Sequence, residues 1–280
     1  MTAGQPVRPS TDAAPTFDVV GISRGRRLPV PRVAEVVAAR LREQILSGEM
    51  GDGSALPTQE RLVEEFRVSK QAVREGLRIL ELEGLITIRR GNVGGALVHL
   101  PSPVDAAYSL ALVLQSRRVQ LEDVGVALKR LEPICVELCA TRPDRHDTVV
   151  VELRAAVDQA IASTGDLSAW LDAQSRFHRI LASGCGNGAI ALLAGALEEV
   201  WLAHVRVWAE TADRAGRFPD AGQRQSGRGI ADHEELLALI EKGQADRAVT
   251  FAQRHINEFY AQASDPLTEI SAATLNDRLP

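Results

Sequence analysis

Between Leu56 and Leu85 the hydrophobic positions follow a helical rhythm that is broken once. Leu62, Val63 and Phe66 form one apolar face, Arg67 to Ser69 interrupt it, and Val73, Leu77 and Leu80 then recur at i, i+4 and i+7. This predicts two short helices joined by a turn tight enough to pack them across one another. Pro57 suits the first position of the first helix, and Ser69 suits the N-cap of the second. Gly84 is placed to end the second helix in a left-handed conformation. Leu85 to Ile88 and Ala96 to His99 read as two short strands around a basic tip of Arg89, Arg90, Gly91, Asn92, Gly94 and Gly95. The order of elements is that of a winged helix-turn-helix.

Off the buried stripe of the second helix lie Lys70, Gln71, Arg74 and Arg78. Their long donors suit phosphates and base edges in a major groove. Any amphipathic helix has a polar face, and a charge run is usually only solvated. The combination of tight turn, capped basic helix and basic hairpin is far more specific, and it implies double-stranded DNA as partner.

The rest of the pattern divides the chain. Residues 1–28 are rich in Ala, Pro, Thr and Gly and read as a disordered tail. Residues 29–100 form the winged head, opened by a helix from Pro31 to about Leu46 with Val33, Val36, Val37, Leu41 and Ile45 inward. Residues 101–105, with Pro101 and Pro103, are a linker. Residues 106–263 show only helical patterning, six or seven helices with breaks near 116–120, 141–146, 163–166, 184–188, 215–229 and 242–243. The polar stretch RAGRFPDAGQRQSGRG reads as a mobile connection, and residues 264–280 as a frayed tail. The expected fold class is mostly α: a winged helix-turn-helix with a small β-hairpin, followed by an all-α bundle.

Composition narrows the setting. The 280 residues are 45% hydrophobic and 25% charged, as in ordinary globular chains. Cys135, Cys139 and Cys185 are too few for a disulfide framework and read as small core residues. No apolar run is expected to reach membrane-spanning length, and the N-terminus lacks a signal-peptide core. These features imply a soluble protein of the cytoplasm, associated with the nucleoid and without a membrane partner. The net charge of −5 changes the picture only until it is mapped. Residues 29–100 hold ten basic and ten acidic side chains, whereas residues 101–280 hold 18 and 25. The acidity belongs to the helical part, and local potential rather than net charge governs phosphate approach.

The pattern LREQILSGEMGDGSALPTQERLVEEFRVSKQAVREGLRILELEGLI resembles the GntR family of bacterial transcription regulators. The segments KRLEPICVELCA, FHRILASGCGN and DHEELLALIEKGQADRAVTFAQRHI resemble the FadR subfamily and its FCD effector domain. The resemblance covers about residues 30 to 262. It implies a homodimer on a pseudo-palindromic operator, probed by Arg61, Ser69, Lys70, Gln71 and Arg74 and by the wing-tip residues Arg90, Gly91 and Asn92. Lys70 stands where the family usually has arginine, and lysine lacks the planar two-donor fork. Glu60 and Arg61 have a plainer reading as a surface cap or pair.

The resemblance also implies a metal site of three histidines, His178, His233 and His255, suited to zinc or another divalent transition metal. The aspartate expected four residues before the first histidine is Gln174. Asp172 is no substitute, since it lies about 240° from His178 around the helix against about 40° for Gln174. If no metal is bound, the histidines could meet a ligand carboxylate directly. Arg130 matches a pocket position where it could clamp an acid, with a helix-face ion pair to Glu132 or Glu137 as its plainer reading. Trp201, His204, Val205 and Trp208 form a stripe read first as packing, with His204 a candidate for effector contact. Asn187 reads as a helix N-cap.

The implied function is a ligand-responsive repressor whose effector is a small carboxylate or an acyl derivative such as an acyl-CoA. A metal-dependent hydrolase is the remote alternative. The sequence offers no phosphate loop and no general base beside the histidines, so an enzyme is not expected.

Overall fold

A computed structural model describes residues 32–89, 95–263 and 269–278. The expected N-terminal tail and the wing tip with Arg90, Gly91 and Asn92 lie outside the described residues.

The head is built from α1 (Val33–Leu46), α2 (Gln59–Phe66), α3 (Lys70–Leu82) and an antiparallel hairpin of β1 (Ile86–Arg89) and β2 (Gly95–Val98). Thr58 caps α2 by accepting from the Arg61 amide, so Pro57 precedes the helix instead of opening it. Ser69 caps α3 by accepting from the Ala72 amide. Arg67 takes the left-handed conformation (φ 53°) that turns the chain sharply between the two helices. Val73, Leu77 and Leu80 of α3 are buried against Leu41 and Ile45 of α1 in one core. Gly76 allows the close approach, since a Cβ there would lie 2.9 Å from Val37 Cγ1 and 3.0 Å from the Ala34 carbonyl. Val33 and Val36 were expected inward but are 53% and 55% exposed; the inward face of α1 runs through Ala34, Val37, Ala38, Leu41 and Ile45. Gly84 ends α3 with a positive φ, as its position predicts.

The remainder is helical: α4 (Pro103–Ser116), α5 (Leu121–Thr141), α6 (Val149–Ala162), α7 (Leu167–Gly184), α8 (Gly188–Arg214), α9 (Ala221–Ser226), α10 (Arg228–Glu241) and α11 (Ala245–Ala263). The breaks fall where the polar and glycine-rich stretches place them. The connection after α8 is more ordered than its polarity implies: Asp220 caps the short α9 by accepting from the Gln223 amide. Asn187 caps α8, accepting from the amides of Ala189 and Ile190. One core gathers α5, α6, α7, α10 and α11 around Phe177, Leu153, Leu181 and Leu236. A second joins α4, α5 and α8 around Trp201, Leu128 and Val200.

Two sequence expectations are corrected here. Helix α8 has the length and apolarity of a membrane span, with mean hydropathy 1.4 over an 18-residue window, but 61% of that window is buried inside the fold, as in a core helix. The C-terminal stretch expected to fray instead folds back. Ile270, Ala272 and Leu275 enter the second core, and a 3-10 helix spans Ala272–Arg278. The Ser271 amide donates to His204 Nε2 (3.0 Å) and the Ala272 amide to Gln115 Oε1 (2.9 Å).

Candidate functional site

The outer face of α3 carries Lys70, Gln71, Arg74 and Arg78, all exposed, and Arg61 is exposed on α2. Lys70 Nζ lies 2.8 Å from Glu60 Oε1, and Gln71 Nε2 donates to Glu75 Oε1 at 2.8 Å. The side chains of Lys70 and Glu60 are 56% and 67% exposed, so the pair is solvated and costs little to break. Arg74 and Arg78 extend from the same face, which makes it a basic surface mounted on a rigid helix.

A second constellation lies inside the helical part. His178 of α7, His233 of α10 and His255 of α11 are all buried, and their ligating nitrogens lie within 4.8 Å of one another. Amphipathic spacing brings them together: each occupies the inward face of its helix, and Phe177 stacks on the His233 ring at 4.0 Å between centroids. Two of the three rings are backed by carboxylates. His178 Nδ1 lies 2.9 and 3.0 Å from the two oxygens of Glu132, and His255 Nδ1 lies 3.0 Å from Asp232 Oδ2. An ionised carboxylate only accepts, so both rings carry a proton on Nδ1 and turn Nε2 toward the centre. There His178 Nε2 and His233 Nε2 stand 3.3 Å apart, and His255 Nε2 is buried with no hydrogen-bond partner among the described residues.

Electrostatics sorts these groups. Burial opposes charge on His178, but the Glu132 carboxylate outweighs it and raises its pKa above the usual histidine value. Burial, with His178 and His255 beside it, pushes His233 well below that value, so its ring is neutral. Burial and His178 also lower His255, against the pull of Asp232. Behind His178, Glu198 forms a buried group with Glu132, and burial with this like charge raises its pKa to about 8. Converging imidazoles with carboxylates behind them and one orphaned nitrogen are the donor set of a divalent transition metal. The residues therefore fit such an ion.

Comparison with known proteins agrees with both halves. Residues 33–94 match the family described as bacterial regulatory proteins, gntR family, and residues 123–258 match the FCD domain. The chain is a GntR-family regulator. The HTH-type transcriptional repressor NanR of Cronobacter sakazakii is 26% identical over 249 residues, covering 87% of this chain and 90% of that protein. The Exu regulon transcriptional regulator of Escherichia coli is 26% identical over 222 residues, covering 75% and 77%. Streptococcus agalactiae GntR shares the fold, with a TM-score of 0.60 at 22% identity over 82% of this chain and 100% of that one. These relatives are named as transcription regulators.

Within the FCD domain some expected residues meet and others do not. The three histidines converge. Gln174 lies on α7 one turn before His178, with Oε1 buried and unpartnered among the described residues. Asp172 points elsewhere, paired with Arg206 of α8. Arg130 is exposed and does not enter the site; Glu132, two positions on, takes the inward place. His204 is not available to an effector either. Its Nδ1 donates to the Val200 carbonyl (2.7 Å) and its Nε2 accepts from Ser271. Glu132, Glu198 and Asp232 were not singled out from sequence as parts of the site. For Glu132 a signal existed: it continues the stripe Leu128, Glu132, Cys135, Val136 and Cys139 that α5 buries.

Proposed function

We propose that this GntR-family regulator is a homodimeric, ligand-responsive repressor of the FadR subfamily type, acting in the cytoplasm on a pseudo-palindromic operator. Its effector is a small carboxylate received at His178, His233 and His255. The observation that carries this reading is the convergence of three buried imidazoles backed by Glu132 and Asp232. Those three histidines would hold a divalent transition metal, which would supply a Lewis-acid centre for an acid group.

In the head, Arg61, Ser69, Lys70, Gln71, Arg74 and Arg78, with Arg90, Gly91 and Asn92 of the wing, are the proposed DNA contacts. Two heads held at half-site spacing would read two half-sites. Effector binding can change operator occupancy only if it favours one arrangement of the heads over another. The test has two parts. Genome-wide mapping of bound sites supplies the operator, and fluorescence anisotropy measures its affinity for Arg74→Ala. Affinity is expected to fall by about tenfold or more, the equivalent of one good base contact, while melting and metal content stay at wild-type values. Unchanged operator affinity sinks the assignment of α3 as the reading helix.

A further inference from the structure

The C-terminal strap closes on His204, a buried histidine of α8 outside the three that converge. His204 Nδ1 donates to the Val200 carbonyl at 2.7 Å. Its Nε2 is therefore bare, and it accepts from the Ser271 amide at 3.0 Å. One residue on, the Ala272 amide donates to Gln115 Oε1 of α4 at 2.9 Å. Glu269 pairs with Gln120 in an isolated antiparallel bridge. Beside these bonds Ile270, Ala272 and Leu275 enter the core shared by α4, α5 and α8. The strap grips α8 with one amide and α4 with the next. Helix α4 is also the one that follows the head: the Leu100 amide is tied to Asp52 Oδ1 in the head (2.9 Å), and α4 begins at Pro103.

This grip works only with a neutral ring. Nδ1 already carries a proton, so a second one must go to Nε2, where it would meet the Ser271 N–H, donor against donor. A charged ring would also be left among apolar side chains, which is costly without a counter-charge. None of the charged or titratable groups on the elements packed here supplies one: not Tyr108 of α4, Arg117 and Arg118 of the turn after it, Glu122 of α5, Arg206 of α8, Glu258 of α11 or Glu269 of the strap. Burial lowers the pKa of His204, and the Val200 carbonyl raises it only in part. The docked ring is neutral. Docking is then fully present above the ordinary histidine value of about 6.5 and weakens as pH falls below it.

We propose that residues 269–278 form an acid-sensitive latch: neutral His204 holds the strap across α4 and α8, and a proton on Nε2 releases it. Release frees the C-terminal turn of α4 from its bond at Gln115, and so loosens the helix next to the head.

Hydrogen exchange of the full-length protein tests this, read by mass spectrometry in peptides that cover the strap and corrected for the intrinsic effect of pH. Between about pH 7.5 and about pH 5.5 the protection of the strap is expected to fall by up to about tenfold, the linkage of one proton over one pH unit below the ordinary histidine value. His204→Gln, whose Oε1 can accept from the Ser271 amide at every pH, should keep the strap protected at the lower pH. Ser271→Pro removes the donor instead and serves if the glutamine variant misfolds: its strap should exchange fast at both pH values. A wild-type strap equally protected at both pH values overturns the latch. So does an acid loss that persists undiminished in His204→Gln, or a Ser271→Pro strap as well protected as that of the wild type.

Discussion

A buried imidazole orients only if something holds its far nitrogen, and Glu132 does this for His178 at 2.9 Å. Loss of such a partner typically costs 10–100-fold in metal affinity. Glu132→Gln keeps the volume but removes the charge, and its amide can present a donor to Nδ1. Zinc affinity, measured by competition with a chromophoric chelator, should fall by roughly that 10–100-fold, while operator affinity stays unchanged. An unaltered zinc affinity would show that Glu132 serves packing alone. The residue scale is also where sequence reading succeeded and failed most sharply. The three histidines were legible because their helices are amphipathic and their segments resemble a known family. Arg130 was expected at the site from the resemblance alone, but two positions amount to about 200° around a helix, and it is Glu132 that faces inward. His204 was misassigned because its second partner, Ser271, is 67 residues away in a segment whose docking leaves no local pattern.

Helix packing carries information that hydrophobic periodicity does not. Gly76 sits in the middle of α3, where glycine is costly, and its reason is α1: the nearest Val37 and Ala34 atoms leave no room for a side chain. Gly76→Val should destabilise the head by about 1–3 kcal/mol, the usual cost of overpacking, read as a lower denaturant midpoint. A stable variant would mean that α1 can withdraw from α3. At the other end of the chain, the C-terminal strap crosses the second core. Burying a side chain such as Ile270 or Leu275 contributes about 1.5–3 kcal/mol, and removal also leaves His204 Nε2 without its donor. Deleting residues 264–280 should therefore lower the melting temperature of the helical part by several degrees. Identical melting would show that the strap contributes nothing to stability. The elements themselves were legible from breaks of Gly, Pro and polar residues. The strap was not, since its few apolar residues lack period, and neither was the outward turn of Val33 and Val36.

For the whole molecule the question is how the histidine cluster and the operator-binding head share free energy. On α7 and α8, adjacent residues face two ways. His178 and Glu198 turn to the cluster, while Arg179 and Glu199 meet each other at 3.1 Å, with Glu199 buried. That pair borders a hollow of about 270 Å³ whose other wall includes Pro103 and Val104, the first turn of α4. Gly195 of α8 brings the two helices together there: a Cβ at Gly195 would lie 3.2 Å from Pro103 Cβ. A small rotation of α7 or α8 at the cluster would thus act on α4, whose first turn takes up residues 103–105 of the stretch expected to be a linker. Coupling of this kind is a free energy shared between sites, and a residue on the route can alter it by about 0.5–2 kcal/mol without touching either ligand. Arg179→Met removes one ion-pair partner of the buried Glu199, so this pair can no longer report the position of α7 to α8. Effector affinity measured without DNA should change little. The factor by which effector weakens operator binding should shrink by about 2- to 30-fold, which is that coupling energy expressed as a ratio. His178→Ala provides the contrast: it should remove effector binding itself and leave operator affinity intact. If Arg179→Met leaves the effector's influence on the operator unchanged, the signal passes by another contact between the FCD domain and the head.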